Sequence, residues 1–82
     1  MTAKNSLLAQ VQSLVAEVFQ VEPEIITRDT ELGTFPQWDS MGHMDLMVAL
    51  EERFGIPISA DTISQLTAVS VILSYIQEKK ND

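Results

Sequence analysis

The chain has 82 residues, a formal net charge of −7 and 45% hydrophobic residues, so we expect one folded domain over residues 1–82 rather than a disordered tail. A domain this short has a modest core, which argues against a deep active-site cleft and therefore against an enzyme. The acidic charge argues against nucleic acid binding, and the absence of cysteine excludes disulfides and thiolate metal sites.

The start of the chain lacks a signal-peptide pattern, and no apolar stretch reaches transmembrane length. We therefore expect a cytoplasmic protein without membrane contact. The single histidine also argues against a His-rich metal site. Because the chain starts with Met1 and ends shortly after its last predicted helix, we expect a free-standing protein rather than an excised domain.

The first predicted element is a helix over about residues 5–19, with Asn5 or Ser6 as its N-cap. Its apolar residues recur at intervals of three and four, which predicts one buried face. These residues are Leu7, Leu8, Val11, Leu14, Val15, Val18 and Phe19.

The apolar residues within 20–39 follow no sustained helical or strand period, which predicts a long loop. Three residues interrupt any regular element: Pro23, Gly33 and Pro36. Loops of this length within a compact domain are often functional. Three apolar side chains are expected to hold the loop against the core: Ile26, Leu32 and Phe35. A turn or a short helical piece is expected near residues 27–31.

The second periodic segment predicts a helix over residues 40–54. Asp39 and Ser40 are suited to its start, while Gly55 and Pro57 end it. Its inward-facing residues are Leu46, Met47, Leu50 and Phe54. The spacing thus predicts a serine at the head of an amphipathic helix.

Two further helices complete the predicted fold. A short helix over about residues 60–65 has Ser59 as its cap and turns Ile63 and Leu66 inward. The last helix, over about residues 68–79, has Thr67 as its cap. Its buried residues are Val69, Ile72, Leu73 and Ile76, and Lys79 and Lys80 lie at its C-terminal end. The expected fold class is all-α, a small four-helix bundle of three main helices and one short helix.

A serine at a helix start is most often only a cap, so Ser40 alone is weak evidence of function. Its surroundings carry more weight. The run Asp39-Ser40-Met41 at the head of the second helix, followed by Leu50-Glu51-Glu52 and Phe54, resembles the acyl and peptidyl carrier protein family. That family has Asp-Ser-Leu at this place. The order and lengths of the helices also resemble the family over essentially the whole chain.

The resemblance implies a carrier without catalysis of its own. Ser40 would bear a 4′-phosphopantetheine arm that carries acyl groups as thioesters, and a phosphopantetheinyl transferase would attach the arm. Asp39 would cap the helix, fix the serine and contact that transferase. The helical core could partly shelter the attached chain. The other implied partners are acyl-loading, condensing and tailoring enzymes of fatty-acid, polyketide or related biosynthesis, with basic surfaces, and the carrier itself is expected to be a monomer.

The second helix also presents a mixed apolar and acidic face, formed by Met41, Met44, Asp45, Val48, Glu51 and Glu52. Exposed methionine adapts to several partners, and the surrounding acids would steer basic surfaces towards it. In the family this helix is the recognition face. The competing interpretation is a solvated acidic surface with loosely packed methionines.

Three residues near Ser40 depart from the family's usual pattern or need a separate explanation. His43 is interpreted as a surface side chain that touches partners. Gly42 weakens the first turn of the helix and is interpreted as permitting close approach of a partner or of the arm. Trp38 stands where peptidyl carriers tend to have glycine, which favours an acyl carrier. Gly42 and His43 are less acidic than the same place in fatty-acid carriers, which points towards a specialised pathway such as polyketide biosynthesis.

Two other functions stay open on the sequence alone. One is a peptidyl or aminoacyl carrier of nonribosomal peptide synthesis. The other is an acidic helical adaptor that binds a partner through the same face without a prosthetic group.

Overall fold

A computed structural model describes residues 6–80. Its elements in chain order are α1 (Leu7–Phe19), a 3-10 helix (Pro23–Ile25), α2 (Ser40–Phe54), α3 (Ala60–Gln65) and α4 (Val69–Lys80). This part of the chain contains no strand, only an isolated antiparallel bridge between Glu31 and Ala68. The predicted all-α bundle of three main helices and one short helix is confirmed.

Side-chain caps define the starts of the helices where the sequence offers them. Ser6 accepts the Ala9 N–H at 3.2 Å and caps α1, whereas the alternative cap Asn5 lies outside the described residues. Ser59 and Thr62 form a reciprocal capping box at the start of α3. Both predicted serine caps are therefore confirmed.

The core lies where α1, α2 and α4 meet. Their apolar stripes are buried: Val11, Leu14, Val15 and Phe19 of α1, Leu46, Met47, Leu50 and Phe54 of α2, and Val69, Ile72, Leu73 and Ile76 of α4. Of the two residues expected to face inward from α3, Leu66 is buried and Ile63 is half-buried. The helical periodicity thus predicted the core-facing residues of all three long helices.

The long loop is held differently from the prediction. Ile26 is fully buried and Phe35 packs against the core, but Leu32 is exposed, so its predicted role is wrong. The backbone holds this part of the loop instead, because the Leu32 N–H donates to the Thr67 carbonyl at 2.8 Å. Trp38, which is fully buried, supplies the third large side chain between the loop and the core.

The local structure within the loop was predicted in part. The expected turn near residues 27–31 is present, closed by a hydrogen bond from the Thr30 N–H to the Thr27 carbonyl at 3.1 Å. The helical piece lies earlier, at Pro23–Ile25, where proline occupies the first position and its missing N–H costs nothing.

Thr67 does not act as the predicted cap of the last helix, since α4 begins at Val69. The first N–H groups of α4 are satisfied by the loop backbone: Val69 donates to the Thr30 carbonyl at 2.9 Å and Ser70 donates to the Arg28 carbonyl at 3.2 Å. The loop and α4 therefore complete each other's hydrogen bonds. Among residues 6–80, no helix combines the length and apolarity needed to cross a membrane.

Candidate functional site

The start of α2 is organised by Asp39. Its carboxylate accepts the Gly42 N–H at 2.8 Å, and its own carbonyl accepts the His43 N–H at 2.8 Å. Asp39 is therefore the N-cap, as predicted, and Ser40 is the first residue of the helix. Ser40 is exposed to solvent, so a rigid turn presents its hydroxyl at a fixed place on the surface.

The electrostatics at Ser40 suit an anion more than they suit catalysis. The N-terminus of a helix carries partial positive charge and N–H groups without partners in the helix. A nucleophilic serine would need an adjacent base. His43, the chain's one histidine, has both ring nitrogens engaged elsewhere. The ring of His43 is therefore not free to act as a base for Ser40.

His43 is not on the surface, and its predicted role as a partner-contacting side chain is wrong. It is only 5% exposed, and the Trp38 indole N–H donates to its Nδ1 at 3.0 Å. Its Nε2 lies 2.7 Å from the Ile63 carbonyl oxygen. Because Nδ1 accepts a hydrogen bond, the proton of the neutral ring lies on Nε2 and is donated to Ile63. The imidazole thus links the loop, α2 and α3.

Trp38 and its aromatic neighbours fill the space beneath the start of α2. The Trp38 ring stacks on Phe19 at 5.6 Å between centroids and lies 6.2 Å from the His43 ring. Phe35 packs edge-on against Phe19 at 5.7 Å. These contacts tie the residues just before Ser40 to α1, so the loop that leads to the serine is fixed at its end.

Gly42 is also explained by contacts within the chain, while the approach of a partner or of the arm stays a prediction. A side-chain carbon at this position would clash with the Gln37 carbonyl oxygen and would lie 2.9 Å from the Phe19 ring edge. The loop backbone passes so close to α2 that only hydrogen fits. The cost of glycine in a helix is accepted here because it allows this packing.

The mixed face of α2 is exposed as the sequence predicts. Met41, Met44 and Val48 are 80%, 46% and 52% exposed, and the three acids beside them are exposed as well. Spacings of three and four residues make neighbours of these side chains on the helix surface. We call this set the α2 stripe: Met41, Met44, Asp45, Val48, Glu51 and Glu52. The structure places the stripe and Ser40 on one helix; the part that the stripe plays in binding stays a prediction.

The burial of His43 had a signal in the sequence that the first interpretation missed. His43 precedes Leu46 by three residues and Met47 by four, so it continues the buried stripe of α2 towards the helix start. A histidine in that register is placed against the core, and Trp38 five residues earlier offers its N–H as a partner. Within residues 6–80, no group of three or more acidic or histidine side chains could hold a metal ion.

Comparison with known proteins identifies the family of the chain. The model of the family described as "Phosphopantetheine attachment site" matches residues 9–76, which is most of the chain. The chain therefore belongs to the phosphopantetheine attachment site family. Its prosthetic group is phosphopantetheine.

The similar proteins indicate which class of phosphopantetheine-bearing protein the chain resembles. The acyl carrier protein of Chlamydia trachomatis serovar D is 33% identical over 76 residues, which are 93% of this chain and 99% of that protein. The acyl carrier protein of Rickettsia canadensis is 30% identical over 81 residues, 99% of this chain and 94% of that one. The solution structure of holo acyl carrier protein from Geobacter metallireducens superimposes with a TM-score of 0.79 at 26% identity, covering 90% of this chain and 85% of that one.

The function of the chain is accordingly that of an acyl carrier protein. The matches favour this function over the peptidyl carrier and over the adaptor without a prosthetic group. Proteins of this class are carriers, not catalysts.

Proposed function

We propose that Ser40 is the residue to which the phosphopantetheine arm is attached. The observation that carries the proposal is the exposed hydroxyl of Ser40 at the first position of α2, directly after the capping Asp39. In the attachment step the Ser40 oxygen would form a bond to the phosphorus of coenzyme A that is bonded to the pantetheine oxygen. The bond from that phosphorus to the adenosine-phosphate portion would break, and the hydroxyl proton would pass to the transferase.

The residues around Ser40 fit the resulting phosphodiester. The Gly42 N–H is taken by the Asp39 carboxylate, which leaves the N–H groups of Ser40 and Met41 in the first turn to face the phosphate. When bound, the arm supplies a thiol that carries the acyl group as a thioester. The chain's own contribution is to hold the attachment point rigidly, through the Asp39 cap and the buried Trp38 before it.

The test is modification by a broad-range phosphopantetheinyl transferase with coenzyme A, followed by intact mass. Wild type should gain one phosphopantetheinyl group, and Ser40→Ala should gain none. Ser59→Ala is the matched control, because Ser59 is another exposed serine at a helix start, and it should be modified like wild type. Unmodified wild type with several active transferases would refute the assignment, as would a modified Ser40→Ala.

We further propose that the α2 stripe is the surface by which the transferase and the acyl-loading, condensing and tailoring enzymes recognise the carrier. Its three exposed apolar side chains offer contact area, and its acids match basic partner surfaces. Its position on the same helix as Ser40 supports the proposal, since a partner bound there lies beside the attachment point.

The pathway is proposed more broadly: fatty-acid, polyketide or related biosynthesis in the cytoplasm. The sequence hint towards a specialised pathway came from Gly42 and His43. The internal packing of both residues now accounts for them without reference to a pathway. Intact mass of the protein purified from its native host tests the cargo directly, because the arm and the acyl group are weighed together.

A further inference from the structure

We propose that Trp38 and His43 close the route from Ser40 into the helical core, so that the acyl group stays outside the bundle and the carrier is suited to short or polar acyl groups. The inference rests on the proposed attachment at Ser40. It concerns the fate of the carried group, which could either fold into the core beside the attachment point or lie along the surface, and it replaces the expectation that the core partly shelters this group.

The side of Ser40 that faces α3 is closed by His43. His43 lies one helical turn after Ser40, on the buried side of α2. Its ring spans the space between the two helices, because its Nε2 reaches the Ile63 carbonyl oxygen of α3 at 2.7 Å. A chain passing from Ser40 between α2 and α3 would have to displace this ring.

The side of Ser40 that faces the loop and α1 is closed as well. At Gly42 the Gln37 carbonyl and the Phe19 ring approach α2 so closely that even a methyl group does not fit. Trp38 lies behind them, fully buried and stacked on Phe19. A saturated acyl chain is about as wide as a methyl group, so it does not pass this contact without movement of the loop.

Opening the space between α2 and α3 by moving His43 would leave a buried polar group without a hydrogen-bond partner. The Trp38 indole N–H is fully buried and donates to His43 Nδ1, so moving the imidazole leaves this donor without an acceptor. Among the described residues every buried side-chain nitrogen and oxygen has a partner in the closed arrangement. A surface depression lined by Phe54–Pro57 and Lys79 lies at the other end of α2, roughly 20 Å along the helix from Ser40. It offers the cargo no shelter beside the attachment point.

The experiment compares the same protein carrying a two-carbon and an eight-carbon saturated acyl group, loaded from the acyl coenzyme A and checked by intact mass. Amide spectra by nuclear magnetic resonance then report on Leu46, Met47, Ile63 and Leu66, and the indole N–H reports on Trp38. We expect these signals to coincide between the two loaded forms, with unchanged protection of the indole N–H from solvent exchange. Shifts of these core signals by the eight-carbon group, or loss of that protection, would overturn the proposal.

His43→Ala tests the residue assignment. In this variant the difference between the two loaded forms should appear at Ile63 and Trp38, because the space left by the ring admits the longer chain. If the variant does not fold, His43→Val makes a smaller opening for the same comparison. A folded variant whose two loaded forms still coincide would show that His43 does not close the route.

A second way of attaching the acyl chain allows this inference to be tested independently of the proposed function. Because the chain has no cysteine, Ser40→Cys can be alkylated at one site with reagents of equal, pantetheine-length linker and two or eight terminal carbons. Failure of several active transferases to modify wild type would refute attachment at Ser40. The alkylated variant would still show whether a chain tethered at this position enters the core.

Discussion

Gly42 lies where the Gln37 carbonyl and the Phe19 ring come closest to α2. Gly42→Ala gains up to about 1 kcal/mol of helix propensity. The added methyl group, however, must push aside a backbone carbonyl, and overpacking of this kind costs about 1–3 kcal/mol. We expect a net loss in the free energy of unfolding, measured by urea denaturation. Ser13→Ala, at an exposed position of α1, is the control and should be neutral or slightly stabilising; a Gly42→Ala protein as stable as that control would contradict the packing argument.

The Trp38–His43 hydrogen bond gives a second prediction at the residue scale. His43→Leu should cost about 1–3 kcal/mol, because it leaves the buried indole N–H without an acceptor. Trp38→Phe removes that donor along with part of the ring. In the double variant the donor and the acceptor are both gone, so its loss should be smaller than the sum of the two single losses. Urea denaturation of the four proteins measures this coupling, and additive losses would show that the bond contributes nothing beyond packing.

Gly42 and His43 show which features of the site could be predicted from the sequence and which could not. The serine at the start of α2 and its capping aspartate follow from local rules, because a cap needs only the residues within one turn. The clash at Gly42 depends on Gln37 and Phe19, which belong to the loop and to α1. No local rule brings those three together. His43 lies between the two cases: its register indicates burial, although it was interpreted as a surface side chain, and its acceptor role depends on the position of Trp38.

At the scale of single elements, α2 depends on Asp39 for its start. Asp39→Ala should lower the free energy of unfolding by about 1 kcal/mol, because the Gly42 N–H loses its acceptor. Asp39→Asn should retain most of that stability, since asparagine caps about as well. The pair therefore separates the cap from the charge. If the carboxylate also contacts the transferase, Asp39→Asn should fold like wild type but be modified more slowly, as measured by intact mass over time. Equal stability of Asp39→Ala and wild type would exclude the capping role.

The short helix α3 shows why element boundaries were easier to predict than element positions. Its start is set by the Ser59–Thr62 capping box, of which the Ser59 cap was predicted from the sequence. Its location against α2 depends on His43, which donates to one of its last carbonyls, that of Ile63. The same contrast holds for α4, whose buried face was predicted from periodicity. Its first N–H groups bond to carbonyls of the distant loop residues Arg28 and Thr30 instead of to a side-chain cap.

At the scale of the whole molecule, the net charge of −7 attracts basic partners. At a specific interface, charges near the binding surface change the rate of association more than charges elsewhere on the molecule do. Asp45→Asn with Glu52→Gln removes two charges from the α2 stripe. Glu22→Gln with Glu24→Gln removes two exposed charges near the 3-10 helix and is the matched control. Each double variant changes the net charge from −7 to −5.

If the stripe binds partners, the stripe variant should lower kcat/KM for phosphopantetheinyl transfer at low salt by roughly tenfold, within the range that electrostatic steering spans. The control should lower it much less. The difference should shrink as salt is raised towards 1 M, where the screening length falls to about 3 Å. The measurement is the initial rate of modification against carrier concentration at several salt concentrations, with helicity checked by circular dichroism. Equal slowing of the two variants would mean that partners sense only the overall charge, and the stripe would then lose its assignment as the recognition surface.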